Sequence, residues 1–184
     1  MKLLMFAASL SKKSVNKSLI NLSARLVREQ GHQIDLADFS EFDVPSYNAD
    51  VQAGAGIPKA VTEFVKRMHD SDGLIISVPE YNFSMPGHLK NLVDWVSRIN
   101  PMPWRDQYIQ LMSASPSLVG GNRGLWATRI PLEACGAFVC PDMFSLASAH
   151  EAFDEQGNLV NKQLQERLNA MLGGYLGLIV KLKG

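Results

Sequence analysis

Residues 72 to 95 read Asp72-Gly-Leu-Ile-Ile-Ser-Val-Pro-Glu-Tyr-Asn-Phe-Ser-Met-Pro-Gly-His-Leu-Lys-Asn-Leu-Val-Asp-Trp95, and this order predicts a strand, a loop and a helix. The short, mostly apolar run from Leu74 to Val78 is typical of a strand that is covered on both faces, as in a parallel sheet. Pro79 ends the strand because it has no N–H to donate. Pro86 begins a helix, and the apolar residues that follow it at helical spacing are Leu89, Leu92, Val93 and Val96.

The loop from Glu80 to Ser84 therefore lies at the carboxyl end of a buried strand, which is where open α/β sheets bind their ligands. It places Glu, Tyr, Asn, Phe and Ser between two prolines, and the prolines make it stiff. A stiff loop with an aromatic ring and an amide suits a planar ligand. Composition alone leaves an ordinary polar surface turn as the alternative.

The rest of the chain alternates strands with helices. We predict further strands over 2–7, 33–37, 108–112 and 137–139, and a short strand or edge segment over 143–147. Helices are predicted over 15–30, from residue 58 onward, over 86–97, over 123–135 and at the end of the chain. A long irregular link is predicted over 39–57. Strands separated by helices indicate a three-layer α/β fold with right-handed crossovers, so that the loops after successive strands meet at one edge of the sheet. We expect one domain over residues 1–184.

The loop after the first strand carries hydroxyl and amide groups just before a helix: Ser9, Ser11, Ser14 and Asn16. A phosphate group at that position meets free backbone N–H groups and the positive end of the helix dipole. The alternative is ordinary N-capping by Ser14 or Asn16. The chain has neither Gly-x-Gly-x-x-Gly nor Gly-Lys-Ser/Thr, which disfavours a Rossmann dinucleotide site and a nucleoside triphosphatase.

The loop after the fourth strand, Ser113 to Arg123, is rich in small residues that allow the backbone to approach a ring closely. A flexible surface loop is the alternative reading of these residues.

Charge and cysteine content narrow the class of protein. The 184 residues contain 18 basic and 18 acidic side chains, which gives no argument for a nucleic acid or an anionic membrane as partner. Cys135 and Cys140 flank a predicted strand, where they cannot easily bridge, so we expect two reduced thiols in a cytoplasmic protein. No His or second cysteine pair lies at ligand spacing, so we expect no metal site.

The central stretch resembles the signature of the NADPH-dependent FMN reductase family, whose members include quinone, azo-dye and chromate reductases. The matching residues are Pro79, Glu80, Tyr81, Asn82, Ser84, Pro86, Gly87, Leu89, Lys90, Asn91, Asp94 and Trp95. The first loop matches the family pattern at Ser9, Leu10, Ser14 and Asn16, and the third resembles its Ser-x-Ser-Pro-Gly motif followed by Gly-Gly. Ala8, Ser11 and Ser117 stand where the family has Gly, Arg and Gly.

The resemblance implies a flavodoxin-like three-layer sandwich with a five-stranded parallel sheet in the order 2-1-3-4-5 and helices on both faces. It implies bound FMN, with NADPH or NADH as co-substrate. By this resemblance the first loop holds the phosphate with Ser9, Ser11, Ser14, Val15 and Asn16. The second loop lines the isoalloxazine ring with Pro79, Glu80, Tyr81 and Asn82. The third loop closes the far side of the ring with Ser113, Ser115, Gly120 and Gly121. No catalytic side chain is expected, since FMN carries the chemistry.

The implied activity is hydride transfer from NAD(P)H to FMN and onward reduction of a small-molecule acceptor: a quinone, a flavin, an azo compound or a metal oxyanion. The family also implies a homodimer or homotetramer, and we favour pairing of Glu80 with a basic residue across the dimer interface. Two alternatives belong to other classes. One is a flavodoxin-type electron carrier, although such carriers are usually strongly acidic, and the other is a binding module that has lost FMN.

Overall fold

A computed structural model describes residues 1–183, and its core is a parallel β-sheet with helices on both faces. The strands are β1 (Lys2–Ala7), β2 (Gln33–Ala37), β3 (Gly73–Ser77), β4 (Tyr108–Ala114), β5 (Phe138–Val139) and β6 (Phe144–Leu146). The helices are α1 (Val15–Glu29), α2 (Ala49–Ala55), α3 (Lys59–His69), α4 (Gly87–Val96), α5 (Asn122–Ala134) and α6 (Lys162–Lys183), with a 3-10 turn over Phe39–Phe42. No helix within residues 1–183 is both long enough and apolar enough to cross a membrane.

The strand order is β2-β1-β3-β4-β5, which confirms the predicted order 2-1-3-4-5. The fifth position is divided between two short strands. β5 pairs with the start of β4, and β6 pairs with its end, where Met112 lies opposite Phe144. The segment predicted as a short extra strand over 143–147 is therefore a strand of the main sheet, and it extends the sheet beside the third loop.

Two apolar cores flank the sheet. Side chains of β1 alternate between them, as parallel strands buried on both faces require: Leu4 and Phe6 face α3, α4 and α5, whereas Leu3 and Met5 face α1 and α6. The first core contains a cluster of aromatic rings in edge or tilted contact: Phe6, Phe39, Phe42, Phe64 and Trp104. Trp104 is fully buried there, away from the loops that follow the strands.

The link over 39–57, predicted to be irregular, contains two ordered elements. A capping box formed by Asp38 and Glu41 begins the 3-10 turn, and Asn48 caps α2 by accepting a hydrogen bond from the Asp50 N–H. α2 buries none of its residues, so no apolar periodicity marked it in the sequence. Trp95 ties the link to α4, because its indole N–H donates to the Pro45 carbonyl at 2.8 Å.

Tyr175 fastens α6 to the sheet. Its hydroxyl lies 2.9 Å from the Leu74 carbonyl oxygen and 2.8 Å from that of Tyr108, so it can donate to either neighbouring strand. Complete burial raises the pKa of Tyr175 well above its usual value, which keeps the hydroxyl protonated as a donor. A Cβ at Gly73 would lie 2.4 Å from this hydroxyl, so the position accepts only glycine without a shift of α6.

We expect Tyr175→Phe to lower the free energy of unfolding by about 1–2 kcal/mol, because two buried carbonyl groups lose their shared donor. The matched control is Tyr108→Phe, on a half-buried tyrosine whose ring stacks on Phe138 and whose hydroxyl has no hydrogen-bond partner within residues 1–183. Urea denaturation followed by circular dichroism measures both variants. Equal losses in the two would show that the buried hydroxyl does not stabilise the fold.

Candidate cofactor site

The buried side chain of Asn16 joins three elements at the carboxyl edge of the sheet. Its Nδ2 group donates to the Ala114 carbonyl at 2.8 Å, and its Oδ1 accepts from the Ala114 N–H and the Ser77 hydroxyl, both at 2.9 Å. The start of α1 is thereby fixed against the ends of β3 and β4. Asn16, predicted to hold a phosphate, has its side-chain oxygen engaged inside the protein, and it positions the first loop rather than facing a ligand.

The first loop presents a row of backbone donors. Ser14 is the N-cap of α1 and accepts from the Asn16 N–H at 3.3 Å, while Ser9 accepts from the Ser11 N–H at 3.3 Å. Within residues 1–183, the following backbone N–H groups of this loop have no hydrogen-bond partner: Leu10, Lys12, Lys13, Ser14 and Val15. Lys12 and Lys13 are exposed at the same place. Free N–H groups before a helix, with two cations beside them, form the donor set that a phosphate monoester requires.

The second loop is a miniature hairpin. Tyr81 and Ser84 exchange two backbone hydrogen bonds of 3.0 Å, and the two residues between them have positive φ, Asn82 at 49° and Phe83 at 67°. Positive φ at both central positions is the pattern of a type I′ turn. The turn holds the Tyr81 ring about half exposed at the edge of the sheet. A tight hairpin of this kind agrees with the predicted stiffness of the loop.

Glu80 joins the second loop to α5 within the chain. Its Oε2 accepts from the Gly124 N–H at 3.1 Å, and its Oε1 lies 3.2 Å from Arg123 Nε. The Arg123 guanidinium covers the Phe83 ring at 3.8 Å. Glu80 therefore has a basic neighbour, Arg123, within its own chain. Sequence gave no sign of this pairing across 43 positions. The expected pairing with a basic residue of a partner chain stays a prediction.

The third loop packs directly on the second. The Ser113 hydroxyl is buried and donates to the Val78 carbonyl at 2.6 Å, so this predicted ring contact is also a link between two strands. Gly121 has φ +83°, and a Cβ there would lie 2.0 Å from Ser113 Oγ. Ser115 remains half-buried, and its Oγ accepts from the Ser117 N–H at 3.2 Å. Ser117 does not have positive φ, so serine in place of the family glycine is unstrained.

His88 is a residue that the sequence analysis missed. It is half-buried, and its Nε2 lies 3.0 Å from the Ala8 carbonyl oxygen. A carbonyl only accepts, so Nε2 carries the hydrogen. The ring also packs on Phe39 and approaches Tyr81, with centroid distances of 5.2 and 6.3 Å. His88 therefore connects the first loop to the second, and its place just after Pro86-Gly87 was the only available signal.

The structure brings the three predicted loops together and divides their residues into two groups. Asn16 and Ser113 point inward and hold the loops to one another. The backbone of the first loop, the exposed Tyr81-Asn82 tip and the half-buried Ser115 remain available to a ligand. Donors for a phosphate at one end and a rigid aromatic turn at the other fit FMN, a flat ring with a phosphate tail.

The same architecture occurs in solved structures. The FerB flavoenzyme, an NAD(P)H:(acceptor) oxidoreductase from Paracoccus denitrificans, matches with a TM-score of 0.84 at 24% identity and covers 98% of this chain and 97% of its own. Oxidised flavodoxin 1 from Bacillus cereus matches with a TM-score of 0.60 at 14% identity, covering 96% and 98%. The fold and the three converging loops define a flavodoxin-like α/β protein.

Sequence comparison then gives the family. The model described as NADPH-dependent FMN reductase matches residues 1–151. An NAD(P)H-dependent FMN reductase of Pseudomonas aeruginosa is 33% identical over 185 residues, covering 100% of this chain and 97% of its own, and an NAD(P)H:quinone oxidoreductase of Solanum tuberosum is 31% identical over 180 residues, covering 96% and 91%. The chain belongs to the NADPH-dependent FMN reductase family. It is an NAD(P)H-dependent oxidoreductase that uses FMN.

We expect Asn16→Ala to lower the free energy of unfolding by about 2–4 kcal/mol and to weaken FMN binding, because the buried N–H and carbonyl of Ala114 both lose their partner. The control is Asn21→Ala, at an exposed position of the same helix, where we expect a change within about 0.5 kcal/mol. Chemical denaturation and FMN titration measure the two effects. Wild-type values for Asn16→Ala would contradict the central role of this amide.

Proposed function

We propose that this protein reduces quinones with electrons from NAD(P)H, at an FMN held where the loops after β1, β3 and β4 meet. The observation that carries the proposal is the row of unpartnered backbone N–H groups before α1, in a loop that His88 connects to the hairpin turn of the second loop. The names of the relatives point to the acceptor: those from Solanum tuberosum and Arabidopsis thaliana are called quinone oxidoreductases, and that from Escherichia coli a quinone reductase.

Each loop has its own task in this proposal. Backbone N–H groups from Leu10 to Val15 bind the phosphate, helped by the α1 dipole and by Lys12 in place of the family arginine. The hydroxyls of Ser9, Ser11 and Ser14 lie along the same loop. The second loop lines one side of the ring with Pro79, Glu80, Tyr81 and Asn82. The third loop lines the other side with Ser113, Ser115, Gly120 and Gly121.

FMN held there would supply two-electron redox chemistry, with NAD(P)H as the hydride donor and the quinone as the acceptor. The overall reaction converts NAD(P)H, one proton from solvent and a quinone to NAD(P)⁺ and a hydroquinone. The protein positions the ring between two stiff loops and leaves one face open to both substrates in turn. Rigid loops favour this role because a fixed ring needs no reorganisation when a substrate arrives.

We further propose a homodimer or homotetramer. The link that contains α2, together with α4, forms the candidate contact surface: α2 buries none of its residues within the chain, and Val51 on it is 43% exposed.

We also propose a cytoplasmic location, which the two free thiols favour. Burial raises the pKa of Cys135 and of Cys140, so both stay protonated near neutral pH.

We expect Val15→Pro to weaken FMN binding by about 10-fold or more without unfolding α1. Val15 is the first residue of the helix, where proline is tolerated, and Ser14 has the extended backbone (φ −76°, ψ 128°) that a following proline requires. The substitution removes one unpartnered N–H, and a hydrogen bond to a charged group is worth about 1.5–3 kcal/mol. Fluorescence titration of the apoprotein measures the affinity.

The matched control for this experiment is Val15→Ala, which shortens the side chain but keeps the N–H. Riboflavin supplies a second control because it lacks the phosphate, so its affinity should change little in either variant. If Val15→Pro weakened riboflavin as much as FMN, or left FMN unchanged, the phosphate would not lie at this loop.

Steady-state kinetics with varied NADPH and varied benzoquinone should give parallel double-reciprocal lines, because the two substrates use one open ring face in turn. Initial rates at several fixed quinone concentrations provide the measurement. Intersecting lines would mean that both substrates bind together, and the single shared face would then be wrong.

A further inference from the structure

An apolar cleft lies directly behind the third loop, between β6 and the start of α6. It has a volume of about 350 Å³, and its apolar lining comes from Leu146, Ala147, Ala152, Leu159, Val160 and Leu164. Leu146 and Leu159 form a buried floor, whereas Val160 is 64% exposed at the rim. The volume lies at the lower end of the roughly 300–1,000 Å³ that small-molecule sites occupy.

The cleft and the cofactor site share a wall. The Ser115 N–H donates to the Leu146 carbonyl at 3.0 Å, and the Ala149 N–H donates to the Ser115 carbonyl at 3.0 Å. Gly120 touches the same segment, since a Cβ there would lie 2.9 Å from the Ala147 nitrogen. One side of the third loop therefore faces the proposed ring site, and the other side is bonded to the residues that line the cleft.

Exposed apolar side chains of the third loop continue this surface. Leu118 is 91% exposed and Val119 is 42% exposed, although both are large aliphatic residues in a loop whose other residues are small or polar. The polar residues that line the cleft are Ser148, Glu151 and Asn161, and no cation lines it. This chemistry selects an uncharged hydrocarbon rather than a phosphate or a carboxylate.

We propose that the cleft binds the hydrocarbon tail of a lipid-type quinone whose head group is reduced at the ring site. The proposal rests on the quinone reductase activity proposed above and specifies its substrate class: quinones with an alkyl or prenyl chain. The tail takes no part in the chemistry. Its burial lowers KM and raises kcat/KM, because apolar area leaves water when the substrate binds.

A series of benzoquinones that share one head group and differ only in chain length tests the proposal. With the FMN-loaded enzyme, we expect kcat/KM to rise at least tenfold from the tailless compound to a ten-carbon alkyl compound, since burying two methylene groups alone is worth about tenfold. A kcat/KM that does not depend on chain length would overturn the tail site. Turnover of the tailless quinone reports separately on the quinone reductase activity itself.

Val160→Glu places a charge at the rim of the cleft on an exposed position, so the fold tolerates it. We expect this variant to lose the gain from the ten-carbon chain while its rate with the tailless quinone stays at the wild-type value. The control is Val180→Glu, at a 58% exposed position near the other end of α6, which should keep the full gain. Loss of the gain in both variants, or in neither, would place the tail elsewhere.

Binding supplies a readout that does not depend on turnover. Calorimetric titration of the oxidised, FMN-loaded protein with the ten-carbon hydroquinone, without NAD(P)H, should show affinity that Val160→Glu lowers at least tenfold and Val180→Glu leaves unchanged. A crystal soaked with the same compound should show the chain between Leu146 and Leu164. A chain that lies over α2 or between two copies of the protein would contradict the proposal.

Discussion

One side-chain amide holds the functional edge of this protein together. Asn16 pairs with both the N–H and the carbonyl of Ala114, as a neighbouring strand would, and it also accepts from Ser77. Ala114 is the last residue of β4, so the amide takes over where backbone pairing to β3 has ended. Without it, the start of α1 and the ends of two strands would have no common anchor.

The remaining contacts at the edge follow the same principle, since each loop is fixed by a side chain from another. Ser113 bonds to Val78, His88 to Ala8, and Glu80 to the backbone of Gly124. These side chains use their hydrogen-bonding groups inside the protein, while the backbone of the first loop remains free. In the site that we propose, cofactor affinity comes mainly from backbone groups that are placed in advance, and Ser11 stands where the family has arginine.

Much of the fold followed from local pattern. The apolar run at Leu74 and the helical spacing after Pro86 predicted their elements, and alternation of strands with helices predicted the layers. α2 was missed because none of its residues is buried. The segment over 143–147 was predicted only as a short strand or an edge segment, because a strand of three residues carries too little periodicity to place it in the sheet. At the site, the loops were found from sequence, but the inward roles of Asn16 and Ser113 depend on partners up to 98 positions away.

The backbone of the hairpin tip has a thermodynamic consequence. A type I′ turn favours glycine at its second central position, yet this chain has Phe83 there at φ 67°, which costs a bulky residue about 1–2 kcal/mol. Its ring is 67% exposed, so burial does not offset that strain. Glycine at this position would remove the strain, and it would also remove the ring on which the Arg123 guanidinium packs. The strained tip therefore fixes an exposed aromatic ring and a cation beside the proposed ring site, at a cost to the free energy of folding.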